Sequence, residues 1–204
     1  MKGSFVFLWL LLMLFESPAE GATFKGKVID ADTKEPIEGA AVVAVWAEET
    51  TTPTATHSRL KDVKEVLTDK NGEWVIKGAK GRKGGNLTAI FTFLTGTYYT
   101  KPPEFTIFKP AYCPCPQVVG IVVCKERMKP FSVDGEGETL ELPKLTNRED
   151  RWRAEGVRPD FMGEMLADKQ KAKKIKNFLK LLNEERRFLG LSEYPIWKEL
   201  ENEK

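Results

Sequence analysis

Histidine is almost missing from this chain, with one residue, His57, among 204. That count excludes HExxH zinc hydrolysis and every site built on two or three imidazole ligands. Neither sign of charge dominates, with 32 Lys+Arg against 30 Asp+Glu, so composition gives no reason to expect a nucleic-acid partner. No apolar run is long enough to span a bilayer: the longest, Phe5 to Phe15, has eleven residues. As a helix it would reach only about 16 Å, roughly half the hydrocarbon core. What is present is an ordinary globular balance, 41% hydrophobic and 30% charged, in a length that suits one domain with extensions.

The apolar run follows Lys2 and precedes Glu16-Ser-Pro-Ala-Glu-Gly-Ala22, which is small and polar. A positive start, a short apolar stretch and small residues at −3/−1 (Ser17/Ala19 or Ala19/Gly21) are the parts of a secretory signal peptide, assigned to residues 1–22. Removing them takes away Lys2, Glu16 and Glu20, leaving 31 minus 28, or +3. An exported chain is expected, periplasmic or secreted, and export makes disulfides admissible.

From Thr23 to about Leu145, short Val-, Ile-, Phe- and Thr-rich segments alternate with turn residues at intervals of about ten, as in an all-β sandwich rather than βαβ units. Strands are expected at 23–30, 41–47, 63–68, 73–77, 86–94, 105–109, 118–124 and 139–142. The segment Ala41-Val-Val-Ala-Val-Trp-Ala47 is almost continuously apolar, as in a central strand covered on both faces, and Trp46 and Trp74 are expected in the core. Asp69-Lys-Asn71-Gly72 supplies the residues that tolerate positive φ in a tight hairpin.

Three motifs in order, Gly26-Lys-Val-Ile-Asp-Ala-Asp-Thr-Lys-Glu-Pro-Ile-Glu-Gly-Ala-Ala-Val42, Thr68-Asp-Lys-Asn-Gly-Glu-Trp-Val-Ile76 and Phe108-Lys-Pro-Ala-Tyr112, resemble the carboxypeptidase regulatory-like domain. Leu140-Glu-Leu-Pro-Lys-Leu145 resembles its closing strand, and Ala111 stands where that family commonly has Gly. The resemblance implies a mainly β fold over residues 23–145, a transthyretin-like or Ig-like antiparallel sandwich of about seven strands. It also implies a non-catalytic accessory role, since related sandwiches serve as adhesive or carbohydrate-binding modules. Two enzymes on related sandwiches are excluded: a hydroxyisourate hydrolase, which uses more than one His, and intradiol dioxygenases, which place paired His and Tyr on iron.

Several clusters carry a chemical reading beside a plainer one. His57 lies in the Thr-rich stretch 50–58, read as a solvated loop, with Ser58 beside it but no acid in the motif to orient an imidazole. Asp30, Asp32 and Thr33, and separately Asp69, Asn71 and Glu73, offer oxygen ligands for calcium, yet Asp and Asn-Gly are also what the turns require. Cys113, Cys115 and Cys124 are three cysteines in an exported chain, so one must be left over. The bridge is Cys113–Cys124 or Cys115–Cys124, since Cys113–Cys115 would close a strained ring; free thiols, or a zinc site with His57, remain the alternatives. Tyr98 and Tyr99 sit in a Gly/Thr/Pro stretch and are candidate ligand contacts, while Asn86-Leu-Thr88 fits a glycosylation sequon. No cofactor is expected.

Beyond Leu145 the composition changes, with 14 Lys/Arg and 12 Asp/Glu in 59 residues. Asp160 is a candidate cap, and Gly190 and Pro195 are stop signals. Ile175, Phe178, Leu179, Leu182 and Leu189 recur at helical spacing, with Lys169, Lys173, Lys176 and Lys180 on another side, which predicts an amphipathic helix of about twenty residues. Its basic face suits an anionic membrane or cell-wall surface; alternatively its apolar stripe packs on the sandwich, with Trp152 and Trp197 as anchors. The sequence thus predicts a signal peptide (1–22), a sandwich (23–145) and a helical extension (146–204). It predicts no enzyme but an extracytoplasmic binding module for a protein or glycan at the cell envelope. The alternatives are an envelope structural protein docked by the basic helix, or a hydrolase-like enzyme.

Overall fold

The structure, a computed structural model, describes residues 21–52, 54–117, 120–128 and 137–202. The expected signal peptide lies outside the described residues except for Gly21 and Ala22, which begin the first strand. Among the described residues, seven strands form two sheets: β1 (Gly21–Asp30), β2 (Ala41–Thr51), β3 (Thr56–Leu67), β4 (Glu73–Ala79), β5 (Tyr99–Thr100), β6 (Glu104–Phe108) and β7 (Glu138–Leu142). Among the described residues there are also seven helices: α1 (Asn86–Thr95), α2 (Val122–Arg127), α3 (Arg148–Ala154), α4 (Met162–Leu166), α5 (Lys169–Lys173), α6 (Lys176–Leu189) and α7 (Pro195–Glu201). The fold is therefore mixed α/β, more helical than the mainly β architecture expected.

In one sheet β1 is central, antiparallel to β4 and parallel to β7. In the other, β2 is central, antiparallel to β3 on one side and to β6 and β5 on the other. Strand periodicity explains the unbroken apolar run of β2, because successive side chains point to opposite faces and both faces are covered. Val42, Ala44 and Trp46 join Phe24, Val28, Trp74, Ile76, Ile107, Leu140 and Leu142 in a core shared by the two sheets. Ala41, Val43 and Val45 point the other way and meet Phe108, Met165, Ile175, Phe178, Leu179 and Leu182 in a second core beneath the helices.

The motif residues mostly build turns. Asp30 Oδ1 accepts the N–H groups of Asp32 (2.8 Å) and Thr33 (3.0 Å), and Tyr112 donates its hydroxyl to Oδ2 at 3.0 Å. Asp69 Oδ1 accepts from Asn71 N (2.8 Å) and Glu73 N (2.9 Å) around Gly72, whose φ is +74°. These carboxylates are thus engaged by their own turns. Ala111 adopts φ +64°, the left-handed region that a glycine would enter freely.

Three expected strand features are corrected. Residues 86–94 are helix α1, not a strand: their β-branched and aromatic content favours a strand, but Gly85 is extended at its start and Gly96, at φ +65°, closes it by donating its N–H to Thr92 O. The segment ending at Cys124 is entered by helix α2, while Val118 and Val119 lie outside the described residues. His57 is not in a loop but in β3, opposite Thr50 and exposed.

The tail departs from one long helix. It breaks at Lys174–Ile175 into α5 and α6, capped by Asp168 on α5 and stopped by Gly190 at φ +74°. Asp160 caps nothing, since the residue preceding α4 is Phe161. Pro195 starts α7 rather than ending a helix. Trp197 is buried, whereas Trp152 is 56% exposed, so of the two expected anchors only Trp197 lies in the core.

Candidate functional site

The sequence-predicted sites are mostly dispersed or committed to structure. Cys113 and Cys124 form a disulfide, which fastens the Pro-rich segment to α2. Cys115 is free and buried, and burial pushes its thiol up to about 11, so it is a poor nucleophile. Tyr99 donates its hydroxyl to Glu49 Oε2 at 2.8 Å, and Tyr98 carries the Arg59 guanidinium over its ring at 4.0 Å. Arg59 and Lys61 also pair with Glu48 at 2.7 and 3.0 Å, and the Arg59 hydrogen bond holds that carboxyl below its ordinary value against the cost of burial. The two tyrosines therefore brace β5 against β2 and β3.

The expected basic helix does not offer a free amphipathic face. Ile175, Phe178, Leu179 and Leu182 are wholly buried in the second core. Lys176 Nζ donates to Leu200 O at 3.0 Å, and Lys169 and Lys173 are engaged as well, which leaves Lys180 as the exposed member of the set. Lipid contact through this helix would require its apolar stripe, and that stripe is spent on the sheet.

Between β3 and β4 lies an open groove of about 640 Å³, lined by Asp62, Lys64, Glu65, Val75, Lys77 and Lys174. Several of its charged groups have partners within the chain: Lys174 pairs with Asp62 at 2.8 Å, and Lys64 Nζ donates to the Lys77 backbone carbonyl at 2.6 Å. Glu65 accepts the N–H groups of Asn177, at 2.9 Å, and Phe178, so a sheet carboxylate caps the first turn of α6. Burial nevertheless pushes the Glu65 carboxyl above its ordinary value. A raised folded-state pKa adds stability that is full below the unfolded value of 4.5 and is lost as pH rises through the folded one. In urea titrations between pH 4 and 7.5, the stability of the wild type relative to Glu65→Gln is expected to fall as pH rises. Parallel pH profiles for the two proteins would contradict this assignment.

One surface exposes an unusual amount of apolar side chain. Over residues 90–94, helix α1 turns Thr92 inward and its apolar side chains outward. Thr92 is 1% exposed and its hydroxyl accepts from Thr51 N at 3.4 Å, whereas Ile90, Phe91, Phe93 and Leu94 are 54, 51, 48 and 73% exposed. At about 100° per residue these four side chains occupy one continuous arc of roughly 160°, opposite Thr92. Other large apolar side chains among the described residues are exposed singly, at Leu67, Val75, Tyr98, Val122, Trp152 and Phe188, which is ordinary for a protein surface. Four within five consecutive residues are not ordinary. Sequence reasoning missed this surface because the segment was assigned to a strand. Two signals pointed to it: the apolar residues do not alternate, and glycines bracket the run at both ends.

No family model matches the chain, and no curated protein matches it. A solved structure of catechol 1,2-dioxygenase from Acinetobacter sp. ADP1, inhibited by bound mercury, is similar over 65% of this chain at 15% identity, with a TM-score of 0.32. The match takes in about half of that enzyme, 55% of its chain. The expected non-catalytic module for a protein or glycan partner, with its alternatives, is corrected on this point: the solved structure to which the chain is similar is an enzyme. At that TM-score the likeness assigns this chain no dioxygenase activity either.

Proposed function

We propose that this protein sits at a lipid surface, with the outward face of α1 entering the boundary between headgroups and acyl chains. The observation that carries the reading is the inverted helix: Thr92 packs inward while Ile90, Phe93 and Leu94 face solvent. A soluble helix packs the other way, and an interfacial helix places Phe, Leu and Ile in the acyl boundary. Contacts from β2 hold α1 on a rigid scaffold, so little ordering entropy is lost when the face inserts.

The finer readings of fold and location belong with this one. Two sheets around a shared core, together with the three motifs, support a transthyretin-like sandwich related to the carboxypeptidase regulatory-like domain. The Cys113–Cys124 disulfide supports an exported chain, and no helix among the described residues is long and apolar enough to cross a membrane. The attachment proposed is accordingly peripheral, on the extracytoplasmic side.

Vesicle flotation tests it. Replacing Ile90 and Leu94 together by Ser removes roughly 2–3 kcal/mol of apolar transfer energy, so partitioning should weaken about fifty-fold. Both side chains are exposed, so the thermal midpoint should hold. Equal partitioning of wild type and variant would overturn the reading.

A further inference from the structure

Resting on the placement of α1 at a lipid surface, we infer that the surface is a phospholipid bilayer rich in anionic headgroups, selected by a basic flank beside the inserted face. From Trp74 to Pro103 the chain has no acidic residue and five basic ones: Lys77, Lys80, Arg82, Lys83 and Lys101. Lys101 is committed to Glu49 at 3.1 Å and Glu104 at 3.5 Å. Lys80, Arg82 and Lys83 are exposed and directly precede α1. Arg82 donates its backbone N–H to Thr100 O at 2.7 Å, so this segment is pinned beside β5 rather than trailing into solvent. Gly81 allows that approach: it sits at φ +75°, and a Cβ there would come within 2.3 Å of the Lys101 backbone. The nearby acids do not cancel the flank, because Glu48 is taken by Arg59 and Lys61 and Glu49 by Lys101.

An apolar face, which any fluid bilayer accepts, is thus preceded in the chain by three exposed cations with no ion-pair partner among the described residues, which an anionic bilayer attracts. The cations add long-range attraction that salt screens, with a Debye length falling from about 30 Å at 0.01 M to about 8 Å at 0.15 M.

The test uses the full chain carrying an environment-sensitive label at Leu94→Cys, which reports insertion of α1 itself. Cys115 does not compete for the label, being buried with its thiol pushed up to about 11. Vesicles of phosphatidylcholine alone are compared with vesicles containing about one-third phosphatidylglycerol. At roughly a fivefold factor per basic residue, the three together should make the labelled protein bind the anionic vesicles on the order of a hundredfold more tightly in low salt. Replacing Lys80, Arg82 and Lys83 by Gln should remove that preference and its salt dependence while leaving insertion into phosphatidylcholine unchanged. Equal insertion into both vesicle types, insensitive to salt and to the triple replacement, would overturn the anionic preference and leave α1 as a lipid-facing helix. Insertion into neither would overturn both. A concentration-dependent dimer that Ile90→Ser with Leu94→Ser converts to monomer would assign the face to a second copy and also overturn both.

Discussion

Replacing Glu185 by Ala should lower stability by about 3–5 kcal/mol, the largest single-residue effect expected in the helical layer. Glu185 on α6 is 1% exposed, and it receives Arg151 of α3 in a two-pronged contact, Nε to Oε1 and Nη2 to Oε2, each at 2.6 Å. The same guanidinium lies over the Phe188 ring at 3.6 Å, and its side chain keeps only 16% of its exposure. Removing the carboxylate would strand a cation that can neither reach water easily nor lose its proton. For a chain of this length the thermal midpoint should fall by roughly 10 °C or more. The paired replacement Glu185→Leu with Arg151→Leu should cost much less, because both charges leave together. Denaturant melts of the two singles and the double check this; a Glu185→Ala cost below about 1 kcal/mol would show that the pair does not hold α3 to α6.

Gly72→Ala should be nearly as costly, at about 3 kcal/mol or more. Its φ of +74° alone penalises a side chain by roughly 1–2 kcal/mol. In addition, a Cβ would stand 2.3 Å from the carbonyl oxygen of Val28. That oxygen cannot move aside easily. It accepts from Ile37 N at 3.0 Å, while Val28 N donates to Gly72 O at 2.8 Å, so the Val28 peptide is clamped between two loops. Gly21→Ala is the control, since nothing lies within 4 Å of a Cβ there. If the two replacements melted alike, the clamp would not be the constraint described.

The turn at Asp69–Glu73 and the two-sided burial of β2 were legible in the sequence, because Asn-Gly chemistry and unbroken apolarity are local signals. The left-handed backbone at Ala111 was not anticipated, because alanine gives no local signal for positive φ. Helix α1 was not legible. Phe, Ile and Thr favour extended backbone, and the usual rule that apolar residues face inward gives the wrong answer for a surface that faces outward. The apolar stripe of the tail was read correctly, but its break at Lys174–Ile175 was not, nor was the pairing of Arg151 with Glu185, 34 residues apart. Such pairings depend on which helix faces meet, which spacing along the chain does not encode. Glu65 was invisible for the same reason, as its role exists only once β3 lies under the first turn of α6.

Strand β2 gives alternate side chains to two different cores, and this ties the fate of the tail to that of the sheets. Lifting α4–α7 away would expose Ala41, Val43 and Val45 on a strand whose reverse side holds the sheets together. Peeling β2 from β3 would open both interiors at once. The helical extension is therefore not a removable appendage, and no half of the molecule can melt while the other stays intact. Loss of order is expected to be concerted, with the amides of β2 the last to exchange with solvent.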